Sequence, residues 1–203
     1  MVAIAGLVVG TVQPYGIDEL LVLGQHLAEE PVYLLLVVFC MILLFTFGLP
    51  GSLGLWLIAP FQPPLIATGL LLVGSVGGAL GAYMFSARFQ EVALPAGFAG
   101  RVLDLLSRHG GVLSQTALRI LPGFPHSVVN FCAGILGLPV LRFIAAALLG
   151  LAVKWGVYAT ALYELVEAVE KERALGWSAG APLFTLALLI LLGTWARHRL
   201  AAG

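Results

Sequence analysis

The sequence predicts an all-α integral membrane protein, with membrane-spanning helices and two opposed re-entrant hairpins in an inverted-repeat arrangement. Hydrophobic residues make up 61% of the chain and charged residues 10%, and the mean hydropathy is +1.05. No charged residue lies between Glu30 and Arg88. Leu-Pro-Gly interrupts the apolar sequence at residues 49–51 and again at 121–123. Interrupted apolar segments at corresponding places in two halves are typical of membrane transporters.

Three regions are expected along the chain. Residues 1–30 form an N-terminal interfacial or amphipathic segment, residues 31–163 the membrane domain, and residues 164–203 an acidic loop or surface helix followed by a final membrane helix. The re-entrant hairpins are placed at about 49–64 and 112–137. The predicted membrane helices are Pro31–Gly48, Leu65–Ala87, Val140–Tyr163 and Ala181–Ala196.

Two local patterns add detail to the membrane domain. Glycines at small-xxx-small spacing in the second helix, from Gly74 to Gly81, indicate close packing against another helix. The segment from Arg88 to Gly111 has charged residues and a histidine around an apolar face at positions 102–106, which predicts an interfacial helix. Cys40 and Cys132 lie in apolar runs without metal-ligand spacing, so both are expected to be reduced, buried thiols.

The second break carries the most unusual side chains. Arg119 lies beside Pro122, Gly123 and Pro125, which cannot share one unbroken helix. A charge near the centre of a bilayer costs about 2.5–3.5 kcal/mol on insertion scales, so such a residue usually lines a cavity. Two arms of about 13 residues would each reach about 19 Å, past the middle of the membrane. The second arm would begin near Pro125, and its free N–H groups beside Arg119 predict an anion site.

The first break supplies the opposite side of the predicted site. Ser52 follows Pro50 and Gly51 and would begin the returning arm. A capping role also explains a serine at this position. The predicted substrate-binding residues are Arg119, His126, Asn130, Ser52, Pro50, Gly51, Pro122, Gly123 and Pro125.

Simpler interpretations of the same residues stay open. The second break is also compatible with a kinked helix in which Arg119 extends to the lipid headgroups, although the second copy of the break favours the hairpin. His126 titrates near physiological pH when unperturbed and would make transport pH-sensitive, or it is a hydrogen-bonded structural residue. Lys154 is expected to have an interfacial or structural role.

Residues from about Pro31 to Tyr163 resemble the DedA/SNARE-associated Golgi protein superfamily, whose shared unit is called the VTT domain. The resemblance is carried by Pro50, by the segment Gly81–Arg88, and above all by Arg119-x-x-Pro-x-x-Pro125-x4-Asn130-x3-Gly134. Phe143, Gly150 and Trp155 continue the pattern. The resemblance implies two facing re-entrant hairpins, movement of lipids between leaflets, and Arg119 in the place of the family's hairpin arginine.

Two departures from that family pattern bear on mechanism. Bacterial DedA proteins typically carry acidic residues around the first hairpin, whereas residues 48–64 contain none here. They also carry a second arginine shortly after the first, where this chain has Pro125-His126. Proton coupling through a carboxylate is therefore not supported, and the chain is nearer the SNARE-associated Golgi branch.

The leading hypothesis is a lipid flippase or scramblase for phosphate-bearing lipids such as undecaprenyl phosphate or phospholipid. The alternatives are a transporter of a small soluble anion or osmolyte and, more remotely, an intramembrane serine hydrolase that uses Ser52 and His126. The formal net charge of zero gives no electrostatic case for nucleic acid. We expect membrane lipids as partners, no enzymatic activity, no cofactor, no metal, and a multi-pass location in a bacterial or archaeal plasma membrane. Homo-oligomerisation is left open.

Overall fold

The computed structural model describes residues 30–89, 97–121, 125–170 and 177–202. All regular secondary structure in these ranges is helical, in agreement with the predicted all-α class. The helices are α1 (Pro31–Thr46), α2 (Leu53–Ile58), α3 (Pro64–Ser86), α4 (Phe98–Arg108), α5 (Val112–Ile120), α6 (His126–Ile135), α7 (Val140–Glu170) and α8 (Trp177–Ala202), with a 3-10 turn at Ala87–Phe89. The predicted N-terminal segment lies outside the described residues, apart from Glu30.

Prolines mark the starts of several helices. Pro31 and Pro64 lie in the first turn of α1 and α3, and Pro125 directly precedes α6. The first N–H groups of a helix have no partner within it, so proline removes no hydrogen bond there. The start of α6 was expected near Pro125, and the structure places it at the next residue.

The first break begins where α1 ends in a tight glycine cap. Gly48 has a φ of 75°, a conformation that favours glycine. The N–H of Leu49 donates to the carbonyl of Leu44 at 2.8 Å, and the N–H of Gly48 donates to that of Phe45 at 3.2 Å. This pair of bonds is a Schellman motif, which satisfies the last carbonyls of the helix. The chain can therefore turn inside an apolar environment without losing backbone hydrogen bonds.

The same cap recurs at the end of α6. Gly137 has a φ of 59°, and the N–H of Leu138 donates to the carbonyl of Ala133 at 3.1 Å. Both caps have the sequence Gly-Leu-Pro, at residues 48–50 and 137–139. This repeated cap differs from the repeat that the sequence analysis identified, which paired residues 49–51 with residues 121–123.

Helix α3 is the centre of the packing and contacts α1, α6 and α7. Its glycine face lies on α1 as predicted: a Cβ added at Gly74 would lie 3.1 Å from the Cβ of Met41, and one added at Gly77 would lie 3.1 Å from Ile42. Helix α5 approaches α7 just as closely, because a Cβ at Gly150 would lie 2.7 Å from the Cβ of Arg119. Small residues thus set the helix spacing at both contacts.

In the described part of the chain, two helices are long and apolar enough to cross a membrane, Pro64–Phe89 and Val140–Ala168. They correspond to the predicted spans Leu65–Ala87 and Val140–Tyr163. The other predicted spans coincide with shorter apolar helices, Pro31–Thr46 and Gly180–Trp195. At 16 residues, α1 is about 24 Å long, less than the roughly 30 Å of a hydrocarbon core.

The predicted interfacial helix is present as α4. Val102, Leu103 and Leu106 are buried on one face, where they pack with α5 and α6. The opposite face carries an exposed ion pair, in which Arg108 Nε lies 3.0 Å from Asp104 Oδ1. The helix ends at Arg108, His109 is its C-cap, and Gly110 and Gly111 follow directly.

The two cysteines differ in environment, and one prediction about them is wrong. Both are free thiols, and Cys132 is buried, as expected. Cys40 is exposed on the surface of α1. A side chain on an apolar, outward-facing helix surface contacts lipid in a membrane protein, so an apolar neighbourhood in sequence does not establish burial in protein.

Candidate functional site

The two helix breaks meet at one groove. Its cavity volume is about 550 Å³. The first break and α2 contribute one side, and the start of α6 and the middle of α7 contribute the other. The lining residues are Phe45, Gly48, Leu49, Pro50, Ser52, Leu55, Trp56, Pro125, His126, Ser127, Lys154, Trp155 and Tyr158. Segments that are far apart in the sequence therefore form a single space.

Lys154 places a positive charge in this groove. Its side chain is only 7% exposed, and its Nζ lies 2.5 Å from His126 Nε2. The ammonium also lies 5.0 Å from the ring centre of Trp155 and 5.8 Å from that of Tyr158, within the range of cation–π attraction. Among the described residues, no carboxylate lies within ion-pair distance of Lys154. Within the described ranges, aromatic rings and an imidazole lie beside the charge.

His126 links the groove to a second layer of polar groups. An ammonium has only donors, so Nε2 of His126 must accept the bond from Lys154, and the ring proton of the neutral imidazole then lies on Nδ1. Nδ1 is buried and has no hydrogen-bond partner in the part of the chain that the structure describes. His126 thus presents a buried donor on the side away from Lys154.

Arg119 forms the core of that second layer. It is 1% exposed. Its Nη2 donates to Asn130 Oδ1 at 3.1 Å, its Nη1 donates to the carbonyl of Gln115 at 3.3 Å, and its guanidinium carbon lies 4.7 Å from the ring centre of Phe143. These contacts join α5, α6 and α7 through one side chain. As with Lys154, no carboxylate of the described ranges neutralises it.

A small internal cavity separates Arg119 from the groove. Its volume is about 10 Å³, roughly the room that one water molecule needs. Its lining residues are Phe45, Ser75, Ala79, Arg119, His126, Asn130, Leu151 and Trp155. Phe45, His126 and Trp155 line both spaces and form the wall between them. Trp155 is fixed there because its Nε1 donates to Ser75 Oγ at 2.9 Å.

The predicted site residues therefore divide into two groups. Pro50, Ser52, Pro125 and His126 line the groove, as a shared site between the breaks requires. Arg119 and Asn130 lie behind it, on the internal cavity, together with the inner side of His126.

Gly51 lines neither the groove nor the internal cavity. Gly51 packs against Phe45, and an added Cβ would lie 2.7 Å from its ring, so only glycine fits without a shift. Pro122 and Gly123 lie outside the described residues.

Ser52 does not have the capping role that the sequence suggested. It directly precedes α2, but its side chain makes no hydrogen bond to the helix. It also makes no bond to His126, whose Nε2 faces Lys154. The structure therefore holds Ser52 in the groove without the nucleophile and base contact that a serine hydrolase requires.

Sequence reasoning missed the groove residues of α7 and one residue of α6. Lys154 was expected to be interfacial or structural, and Trp155, Tyr158 and Ser127 were not considered for the site. A signal was present: Lys154 is the only charged residue from Ile144 to Tyr163, and it is followed by aromatic residues at positions 155 and 158.

Comparison with known protein families shows to which family the chain belongs. The family model of the VTT domain matches residues 31–164. The chain is a VTT-domain protein. It belongs to the DedA/SNARE-associated Golgi superfamily, whose members are membrane proteins, as the sequence resemblance indicated. No solved structure matches the chain. The VTT domain covers α1 to most of α7 and thus includes both breaks, the groove and the internal cavity.

Proposed function

We propose that this VTT-domain protein is a lipid translocase, a flippase or scramblase, in which a phosphate headgroup moves through the groove while the acyl chains stay in the bilayer. The observation that carries the proposal is the buried positive charge of Lys154 in the groove, which no carboxylate of the described residues balances. A buried charge without a counter-charge is costly, so the groove favours an anionic occupant.

The walls of the groove suit an amphipathic substrate. Polar groups of Ser52, His126, Ser127 and Lys154 lie within it, whereas its rim is apolar. Leu49 is 52% exposed and Trp56 is 62% exposed. In a membrane these side chains contact lipid tails. A headgroup in the groove would therefore remain connected to its chains outside it.

Re-entry of both breaks into the membrane is part of this proposal. Helices α5 and α6 have 9 and 10 residues, so they are about 14 and 15 Å long, about half of a hydrocarbon core. Neither crosses a bilayer alone, but the pair can enter and return. Non-helical backbone at that depth is tolerated where it lines a cavity, as residues 48–50 and Pro125 do here. An inverted arrangement of the two units would open the groove to each leaflet in turn.

Within this mechanism, Arg119 lies on the internal cavity and supports the site without lining the groove. Its charge adds to the positive potential of the inner wall, and its bond to Asn130 holds α5 against α6. The prediction that Arg119 itself binds the headgroup requires rearrangement of His126, Phe45 or Trp155, because these side chains lie between it and the groove.

The test is transport in proteoliposomes containing either a fluorescent phospholipid or undecaprenyl phosphate. We expect the wild-type protein to move at least one of these lipids between leaflets faster than protein-free vesicles. The exposed-face variant Asp104→Asn is a suitable control, since the carboxylate lies away from the groove. Arg119→Ala in a folded state should lower the rate because the inner positive charge is lost.

A parallel measurement of radiolabelled inorganic phosphate uptake separates the main alternative. Uptake of phosphate without lipid movement would overturn the lipid translocase and support a transporter of small soluble anions. Hydrolysis of a lipid that Ser52→Ala abolishes would instead support the serine hydrolase.

A further inference from the structure

We propose that Lys154 is the residue that binds the phosphate group of the substrate, and that His126 is the positioning residue that holds the Lys154 ammonium towards the groove. This inference rests on the proposed function and deepens it, because it assigns the anion contact to α7 in place of the arginine that the sequence emphasised.

The first argument is the unused hydrogen-bonding capacity of Lys154. An ammonium has three donors. One is directed at His126 Nε2, and Lys154 makes no other hydrogen bond within the described residues. Its remaining donors have only the aromatic faces of Trp155 and Tyr158 beside them. Phosphate oxygens that enter the groove can accept from those donors without displacing His126.

The second argument is access. Lys154 lines the groove, whereas Arg119 lines only the internal cavity, which has room for about one water. A phosphate group is several times larger than a water molecule. In this structure it can reach Lys154 directly but cannot reach Arg119.

The third argument is the polarity of the surroundings. Ser127 lines the groove beside His126, and Ser52 lines the side formed by the first break. Hydroxyls donate well to phosphate oxygens, and no carboxylate of the described residues repels an anion there. Cation, hydroxyls and an aromatic wall together form a site for a phosphate carried on an apolar body.

The experiment measures binding separately from transport. Purified protein in neutral detergent is titrated with short-chain phosphatidic acid, with diacylglycerol of the same chain length, and with inorganic phosphate, and affinities are measured by calorimetry. We expect wild type to bind phosphatidic acid more tightly than diacylglycerol. Comparable affinity for inorganic phosphate would show that the site takes free phosphate, whereas weak binding of inorganic phosphate would show that it requires the lipid.

The decisive variants are Lys154→Gln and its matched control Arg142→Gln. Both remove one positive charge from α7, but Arg142 is exposed and away from the groove. Lys154→Gln should weaken phosphatidic acid binding about tenfold or more and reduce its sensitivity to salt, since a charge-assisted bond is lost. Arg142→Gln should change the affinity less than about twofold. Lys154→Arg should keep most of the binding.

The positioning role of His126 is tested with a variant that no longer orients the Lys154 ammonium. His126→Phe removes the acceptor of Lys154 but leaves its charge, so affinity should fall by a few-fold while the preference for phosphatidic acid over diacylglycerol persists. Loss of that preference would show that His126 contacts the anion directly and would overturn the positioning role.

The result that would overturn the assignment of Lys154 is unchanged phosphatidic acid affinity in folded Lys154→Gln. If that variant does not fold, Lys154→Met replaces it. If neither folds, wild-type Lys154 should be protected from an amine-acylating reagent by phosphatidic acid, and absence of protection would equally overturn the assignment. Binding that depends on Lys154 in a protein that moves no lipid would refute the translocase while leaving the anion site intact. Lipid movement in a protein whose phosphatidic acid binding is independent of Lys154 would refute the anion site while leaving the translocase intact.

Discussion

The unit formed by α1 to α3 and the unit formed by α5 to α7 share one order of elements: a helix, a break, a short helix and a long helix. They are stabilised differently. In the first unit, α1 and α3 meet through glycines that receive Met41, Ile42 and Phe45, and the break is closed by backbone hydrogen bonds. In the second unit, Arg119 and Lys154 are buried among the packing side chains.

This difference shows how the two units divide the work. Close packing and backbone hydrogen bonds stabilise the first unit without buried charge, so it provides a neutral wall for the groove. The second unit has buried charges, and each is held by another polar residue, Arg119 by Asn130 and Lys154 by His126. A protein that must offer charge inside a membrane can confine that cost to one unit and pack the other by contact alone.

The largest effect on stability is expected where the second unit loses a partner for its charge. Asn130→Leu removes the acceptor of Arg119 Nη2 and leaves a buried guanidinium less well bonded. A hydrogen bond to a charged group contributes about 1.5–3 kcal/mol, and leaving a buried charged donor unbonded adds to that loss. The measurement is the free energy of unfolding in mixed detergent micelles.

Asn130→Asp is the matched control, because it keeps an acceptor oxygen at the same place and adds a negative charge beside Arg119. It should retain most of the stability that Asn130→Leu loses. Equal stability of Asn130→Leu and wild type would show that the charged contact does not hold the second unit.

A smaller effect is expected where the first unit loses its close contact. In Gly78→Ala, the new Cβ would lie 3.0 Å from the carbonyl oxygen of Ile42 and would overlap the Cβ of Phe45. Overpacking of this kind costs about 1–3 kcal/mol. Unfolding of the purified variant in the same micelles measures it.

Gly69→Ala is the matched control for Gly78→Ala. It lies on the same helix with no atom within 4 Å of the added Cβ, and alanine favours a helix over glycine by about 1 kcal/mol. Its stability should equal or exceed that of wild type. If both alanine variants behave alike, glycine packing is not what fixes the first unit.

The smallest effect is expected at the neutral hydrogen bond that joins the units. Ser75→Ala removes the acceptor of Trp155 Nε1, and a bond between uncharged groups contributes about 0.5–1.5 kcal/mol. If Ser75→Ala lowers the free energy of unfolding as much as Asn130→Leu does, charged and neutral contacts contribute equally to stability, contrary to this prediction. Unfolding energies compared in one detergent decide this.

The sequence was sufficient for features that depend on neighbouring residues. Pro125 predicted the start of α6, because proline acts on its own turn of backbone. The glycines of α3 predicted a close helix contact, since their spacing alone places them on one face. The amphipathic pattern of residues 101–109 predicted α4 for the same reason.

The sequence was insufficient for contacts between helices. His126 and Lys154 are 28 positions apart, and their contact depends on how α6 and α7 are rotated against each other. Arg119 looked like a groove residue because it is a cation next to a break. The direction of α5 turns it instead towards Asn130, and no local pattern encodes that direction.

The length of α7 has a consequence for the position of the protein in its bilayer. The whole helix has 31 residues and is therefore about 46 Å long, well beyond the roughly 30 Å of hydrocarbon. Its stretch between Arg142 and Glu164 is apolar apart from Lys154 and is about 31 Å long, which matches the hydrocarbon thickness. In a bilayer the remaining turns, with Glu164 and Glu167, therefore project into water. Since α7 carries Lys154, the thickness of the surrounding membrane helps to set the depth at which the groove presents its charge.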